Sequence, residues 1–215
     1  LMQTHSFEQV KQQIIELAYM VRGHFLQATQ AFEQKNAELA REVTAQDEEA
    51  NALTDSVSKH SLSLIALQAP VAGDMRTVGA YLKIVTDLER IGDQAVDMAD
   101  AVIRMDKTEK ELPFFSIMDM TDAVKGILDT TIQAFEKEDI NPLHTLNDMD
   151  DVIDTLHRRN VEMLESLLEK EPQHFREAIQ YIKLLHALER IGDHATNIGE
   201  WTLYMKTGHI ADLNH

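Results

Sequence analysis

Residues 81–93 read YLKIVTDLERIGD, and residues 181–193 read YIKLLHALERIGD. The offset is 100 residues, and LERIGD is identical in both copies. Agreement of this kind marks an internal duplication, so the fold must be one that two similar halves can each adopt. The repeated core sets Glu89 four residues before Asp93, and Glu189 four residues before Asp193. On a helix, residues at i and i+4 lie on one face, roughly 5–6 Å apart. Two like charges held that close destabilise a helix unless a cation relieves them. The duplication therefore points to two equivalent acidic sites, one in each half.

The periodicity around the repeats is helical throughout. Phe7, Val10, Ile14, Leu17, Val21, Phe25, Ala28 and Phe32 alternate three- and four-residue steps and predict one long amphipathic helix. Lys35-Asn36 breaks it. A second helix is expected over about residues 37–67, and Ala69-Pro70-Val71-Ala72-Gly73 stops it. Asp74 is placed to cap a third helix, which carries the first repeat and runs to about Lys107. After the charged connection KTEKELP the same events recur. A fourth helix is expected over about residues 116–138, a turn at Asn141-Pro142, a fifth helix over about residues 143–169, and a sixth opening at Glu171-Pro172 and reaching about Lys206. No strand-like alternation appears. The expected fold is all-α, with six long helices in two duplicated three-helix bundles side by side, the halves being residues 1–108 and 109–215. Helices of this length need lateral packing along most of their surface, which antiparallel bundles supply.

Composition narrows the function. Hydrophobic residues make up 44% of the chain, enough for a sizeable core, and a net charge of −17 argues against nucleic acid, whose phosphates require clustered Lys and Arg. The same charge favours cations or a basic partner surface. Cysteine is absent, which excludes disulfides and thiolate metal sites and fits a reducing cytoplasm. No apolar run approaches the roughly 18 residues that span a bilayer. The opening LMQTHSFEQV lacks the basic start and apolar run of a signal peptide.

The acidic spacing extends beyond the repeat core. Glu89, Asp93 and Asp97 are successive i+4 positions, with Asp100 close by; the counterparts are Glu189, Asp193, Asn197 and Glu200. Carboxylate-rich shells suit hard cations such as Mg²⁺ and borderline ones such as Mn²⁺ and iron. Gly92 and Gly192 precede the repeated aspartates. A mid-helix glycine costs about 1 kcal/mol against alanine, so its presence in both copies predicts a neighbouring helix approaching beside the carboxylates. Asp47 with Asn51, and Asp150 with Asp154, repeat a four-residue spacing on the preceding helices and can complete each shell from across the bundle. The acidic segments QDEEAN and NDMDDVID around them are equally consistent with solvated faces. His60, His157, His186 and His194 are unmatched between the halves and are expected in surface or partly packed roles. There is no P-loop, nucleophile elbow or H-E-x-x-H. The single E-x-x-H, Glu171 to His174, lacks the partner that a di-iron bundle requires. A catalytic role is therefore not expected.

With LERIGD once per half, the extension E-x-x-x-D-x-x-x-D or N, and the loop QAPVAGDMR before the third helix, the chain resembles the PhoU family of bacterial phosphate-signalling regulators over nearly its whole length. The resemblance implies two three-helix bundles, usually a homodimer. It also implies acidic motifs that bind divalent or trivalent metal ions, among them Mg²⁺, Mn²⁺, iron or zinc. It implies a non-enzymatic adaptor linking a phosphate ABC transporter to a sensor histidine kinase, and repression of the phosphate-starvation response when phosphate is plentiful. Carried onto this chain, the metal ligands are Glu89, Asp93 and Asp97 in the first half and Glu189, Asp193 and Asn197 in the second, with looser matches at Asp47, Asn51, Asp150 and Asp154. Such a protein is cytoplasmic and reaches the membrane only through its partners. The competing readings are an accessory of a low-affinity phosphate carrier, a metal-storage bundle and a metal-dependent hydrolase. Three carboxylates against two and an amide predict tighter cation binding in the first half, and predict that Asn197→Asp tightens the second site.

Overall fold

The computed structural model describes residues 6–68, 72–106 and 117–209. These form six α-helices: α1 (Phe7–Glu33), α2 (Ala37–Gln68), α3 (Ala72–Asp106), α4 (Met118–Lys137), α5 (Leu146–Lys170) and α6 (Phe175–Thr207). Short 3₁₀ turns at Asn141–Thr145 and Pro172–His174 lead into α5 and α6. No strand occurs among the described residues. The expected boundary between residues 108 and 109, the whole KTEKELP connection and the stop at 69–71 lie outside the described residues.

Local chemistry sets the ends that are described. Ser6 caps α1 in a capping box: its hydroxyl accepts from the Gln9 N–H at 3.2 Å, and the Gln9 side chain accepts from the Ser6 N–H at 2.8 Å. The break at Lys35-Asn36 is as expected. Lys35 turns the chain with a φ of 51°, and the Asn36 side chain accepts from the Leu39 N–H at 3.1 Å to open α2. At α3 the structure corrects the sequence reading. The helix already begins at Ala72, so Asp74 lies inside the first turn, where its charge favours the positive end of the helix dipole.

Each half is a three-helix bundle: α1, α2 and α3 pack together, as do α4, α5 and α6. The halves join chiefly along α3 and α6, the most extensive helix pairing in the molecule. The burial pattern explains why. α3 buries Ile84, Leu88, Ile91, Ala95, Met98 and Val102 along one run and Val85, Gly92 and Ala99 along another, which lets it pack on two sides. α5 buries only Leu146, Ile153, Asn160 and Leu164, a single narrow stripe, and stays at the periphery. Asp87 of α3 meets His194 and Asn197 of α6, whereas Asp97 is near Arg190 and Lys183, so the two central helices run antiparallel.

An internal two-fold relationship is visible in the aromatic contacts. Phe32 of α1 meets Tyr181 of α6 edge to face at 5.6 Å, and Phe135 of α4 meets Tyr81 of α3 in the same way at 6.0 Å. Tyr81 and Tyr181 are the repeat mates, so each half inserts an aromatic ring against the other. The α1–α4 contact adds polar links. Arg22 holds Asp129 with two hydrogen bonds, at 2.5 Å from Nε and 3.3 Å from Nη2, and the Tyr19 hydroxyl donates to Glu136 at 2.5 Å. Among the described residues, no helix is long and apolar enough to cross a membrane.

Candidate metal centre

Gly192 positions the acidic face of the second half. A Cβ at Gly192 would come within 3.0 Å of Ile153 Cδ1, so α5 packs tightly against α6 beside Asp193. Asp150 and Asp154, one turn before and just after Ile153, are thereby carried to Asp193. One carboxylate oxygen from each of Asp150, Asp154 and Asp193 lies within 4.8 Å of the others. Asp150 is half-buried and Asp154 and Asp193 reach the surface, yet partial desolvation raises the pKa of all three above the usual carboxylate range, and the neighbouring charges add to it. Asp193 is pushed furthest, up to about 6, by burial and then by Asp150, Glu189 and Asp154. The opposing influences are outweighed: Thr196 near Asp150, His157 and Arg158 near Asp154, and His194 near Asp193. Converging carboxylates that resist ionising together make an oxygen-donor set that a bound cation stabilises.

The first half is built on the same plan and is less charged. A Cβ at Gly92 would sit 3.4 Å from Val21 Cγ1 and 4.0 Å from Asp47 Oδ1, so α1 and α2 both close on this point. Asp47 faces Asp93, whose pKa is raised by burial first and by Asp47 next, while Arg90 opposes the shift. Arg90 Nη1 is 3.6 Å from Asp93 Oδ2, and the Asn51 amide donates to Asp47 Oδ2 at 3.0 Å. Thus Asn51, where the second half has Asp154, removes a carboxylate and spends its amide on the one that remains. Glu89 is exposed on α3. Among the described residues, the first half brings no three acidic or histidine donors together as the second half does.

The last positions of the two acidic stripes lie elsewhere. Asn197 turns to the α3–α6 seam, where its amide donates to Asp87 Oδ1 at 3.1 Å. Asp97 lies among Asp100, Arg190 and Lys183, with its pKa raised by burial and then by Asp100. Asp100 itself accepts from Arg104 at 2.8 Å. The two residues that set three carboxylates against two and an amide, Asp97 and Asn197, therefore stand apart from the converging donors. The difference between the halves that the geometry shows is Asn51 against Asp154, and it favours the second half.

Two groupings escaped the sequence reading. Asp87, buried in the seam, accepts from His194 Nδ1 at 2.9 Å as well as from Asn197. His157 of α5 and His186 of α6 both direct a ring nitrogen at Glu189. His186 and Glu189 are three apart and His157 is three beyond Asp154, a helical-face signal that was present in the spacing. The absence of histidine mates in the first half obscured it.

The residues present fit a metal ion in the second half: Asp150, Asp154 and Asp193 converge as oxygen donors, and Glu189 stands beside them. Comparison with known proteins agrees in family. The PhoU domain family model matches residues 14–102 and 117–202, one match in each half. A protein of Clostridium acetobutylicum named phosphate-specific transport system accessory protein PhoU homolog is 28% identical over 208 residues, covering 96% of this chain and 95% of the relative. A protein of the same name from Aquifex aeolicus is 30% identical over 208 residues, covering 97% and 94%. The crystal structure of PhoU from Pseudomonas aeruginosa superposes with a TM-score of 0.90 at 26% identity, covering 94% of this chain and 97% of that one.

Proposed function

The chain belongs to the PhoU family, and from that membership we propose that it is a regulatory, non-enzymatic accessory of a phosphate-specific transport system. It acts as an adaptor between a phosphate ABC transporter and a sensor histidine kinase and holds the phosphate-starvation response off when phosphate is plentiful. The family match in both halves carries this reading, together with relatives named as accessories of that transport system. The protein works as a homodimer on the cytoplasmic side and meets the membrane through its partners, since a charge of −17 disfavours attachment to anionic lipid.

Metal binding belongs to the same proposal. Asp150, Asp154 and Asp193, with Glu189 adjoining, hold a divalent or trivalent cation. Asp47, Asp93 and Glu89 form a weaker site in the first half. The metal's part is to neutralise converging carboxylates and brace α5 against α6. The test is genetic. In cells lacking their own copy, this chain restores repression of phosphate-starvation genes in high phosphate and co-purifies with transporter and kinase. A variant carrying Asp150→Asn, Asp154→Asn, Glu189→Gln and Asp193→Asn fails to repress. Absence of co-purification by the wild-type chain would sink the adaptor role, and full repression by the quadruple variant at normal abundance would sink the role of the metal.

A further inference from the structure

We propose that His157, His186 and Glu189 form a second metal site, for a borderline divalent cation of the Zn²⁺ class, present only in the second half. It goes beyond the carboxylate centre, with which it shares only Glu189, and needs none of Asp150, Asp154 or Asp193. Three observations carry it. First, the donors converge: His157 Nε2 is 3.7 Å and His186 Nδ1 is 3.4 Å from the same Glu189 oxygen, Oε2, and one ligand atom of each residue lies within 4.8 Å of the others. Those separations exceed the roughly 2.7–2.9 Å of a charge-assisted hydrogen bond. They resemble the edge of a coordination tetrahedron, since donors about 2.0–2.1 Å from zinc are roughly 3.3 Å apart.

Second, the donors come from two helices, so the grouping is tertiary. His157 stands on α5, and His186 and Glu189 are three residues apart on α6. The imidazoles lie 6.3 Å apart with planes inclined at 47°, which leaves room between them. The His186 side chain is 50% exposed, giving an ion a path in from solvent.

Third, the first half abandons the arrangement at both positions. Thr54 and Thr86 occupy the places of His157 and His186, and each hydroxyl donates to its own helix backbone, Thr54 to Ala50 at 2.8 Å and Thr86 to Leu82 at 3.0 Å. Two imidazoles and one carboxylate suit zinc, copper, nickel or iron over magnesium, and three protein ligands leave a coordination position for water.

The test uses the whole 215-residue chain stripped with chelator, titrated with Zn²⁺ in saturating Mg²⁺, which occupies oxygen-only sites. Wild-type protein retains a tight Zn²⁺ site, and His157→Gln/His186→Gln weakens it by about tenfold or more. Asp150→Asn/Asp154→Asn weakens it by less than about threefold, through lost long-range attraction. With one equivalent of Cu²⁺, wild-type spectra show nitrogen superhyperfine structure that the histidine variant lacks, while circular dichroism confirms its fold. Equal Zn²⁺ affinity in wild type and the histidine variant overturns the proposal, as does no tight Zn²⁺ binding by wild type under Mg²⁺. Equal loss in both variants overturns the independence of the site. Retained Zn²⁺ binding with no stabilisation by Mg²⁺ or Mn²⁺ would instead count against the carboxylate centre alone.

Discussion

Asn197 donates its amide to Asp87 Oδ1 across the α3–α6 seam at 3.1 Å, and His194 Nδ1 approaches the same oxygen at 2.9 Å. Asp87 is buried, so these two groups supply what water cannot. Spacing alone predicts that Asn197→Asp adds a metal ligand; the structure predicts that it sets a second carboxylate against a buried one. Asn197→Asp should therefore lower stability by about 1–3 kcal/mol and leave Mn²⁺ affinity in the second half within about twofold. Urea denaturation and calorimetric titration read the two effects. A variant as stable as wild type with markedly tighter Mn²⁺ binding would refute the seam assignment.

Asp193 makes stability pH-dependent in metal-free protein. Its folded pKa, about 6, lies above the ordinary 3.8. A raised carboxylate pKa contributes stability that is fully present below the unfolded value and is lost as pH rises through the folded one. Metal-free protein should thus lose stability between about pH 4 and pH 6 through this group, by about 1 kcal/mol after allowance for solvent screening. Asp193→Asn should flatten that part of the profile. Chemical denaturation across pH 4–7 in chelator measures it, and coincident profiles for variant and wild type would refute the prediction.

Metal should restore what repulsion costs. At a hundredfold excess over the dissociation constant, a single bound cation adds roughly 2.7 kcal/mol. The gain should disappear first from Asp150→Asn/Asp193→Asn, and Asp47→Asn/Asp93→Asn should keep most of it. Thermal melts with Mn²⁺ decide the order, and equal losses in both variants would contradict the inequality of the halves.

The glycines of α3 and α6 should differ in their tolerance of alanine. At Gly199 a Cβ would meet Leu146 Cδ1 at 2.3 Å and Thr131 Cγ2 at 3.2 Å, whereas at Gly92 the nearest atom is Val21 Cγ1 at 3.4 Å. Gly199→Ala should destabilise by about 1–3 kcal/mol through overpacking. Gly92→Ala should fall between neutral and about 1 kcal/mol stabilising through helix propensity. Denaturation midpoints showing the opposite order would remove the packing argument.

Arg22 tests the second contact between the halves. Burial alone would raise the Asp129 pKa, but hydrogen bonds from Arg22 and Lys125 outweigh it and hold the carboxyl below its ordinary value. Arg22→Met should cost about 1–2 kcal/mol, because Lys125, at 3.2 Å, cannot replace a two-pronged partner. A double-mutant cycle with Asp129→Asn should show coupling between the two positions, and a coupling energy indistinguishable from zero would refute it.

Much of this was legible in the sequence because periodicity and duplication act over many residues at once. The apolar stripe from Phe7 to Phe32 and the break at Lys35-Asn36 describe α1 and its end as found. The pairing of Asp150 and Asp154 with Asp193 followed from one glycine and two matched spacings. Asn197 shows where that reasoning stops. Each i+4 step turns about 40° around a helix of 3.6 residues per turn, so a stripe that starts against α5 at Glu189 has rotated by roughly 80° at Asn197 and faces α3. Helical spacing says which residues are neighbours on one helix; it does not say which neighbouring helix the stripe will meet. His157 and His186 were missed for a related reason, since a pair assembled from two helices leaves no symmetric trace when only one half carries it.

The joining of the two halves in one polypeptide has a further consequence. In a pair of identical subunits every substitution is made twice, and a change that suits one side of the axis is imposed on the other. Here Thr54 and His157, or Asn51 and Asp154, occupy equivalent places yet are encoded separately. One half can therefore specialise in chemistry while the other keeps the geometry, without any loss of the contact that holds them together.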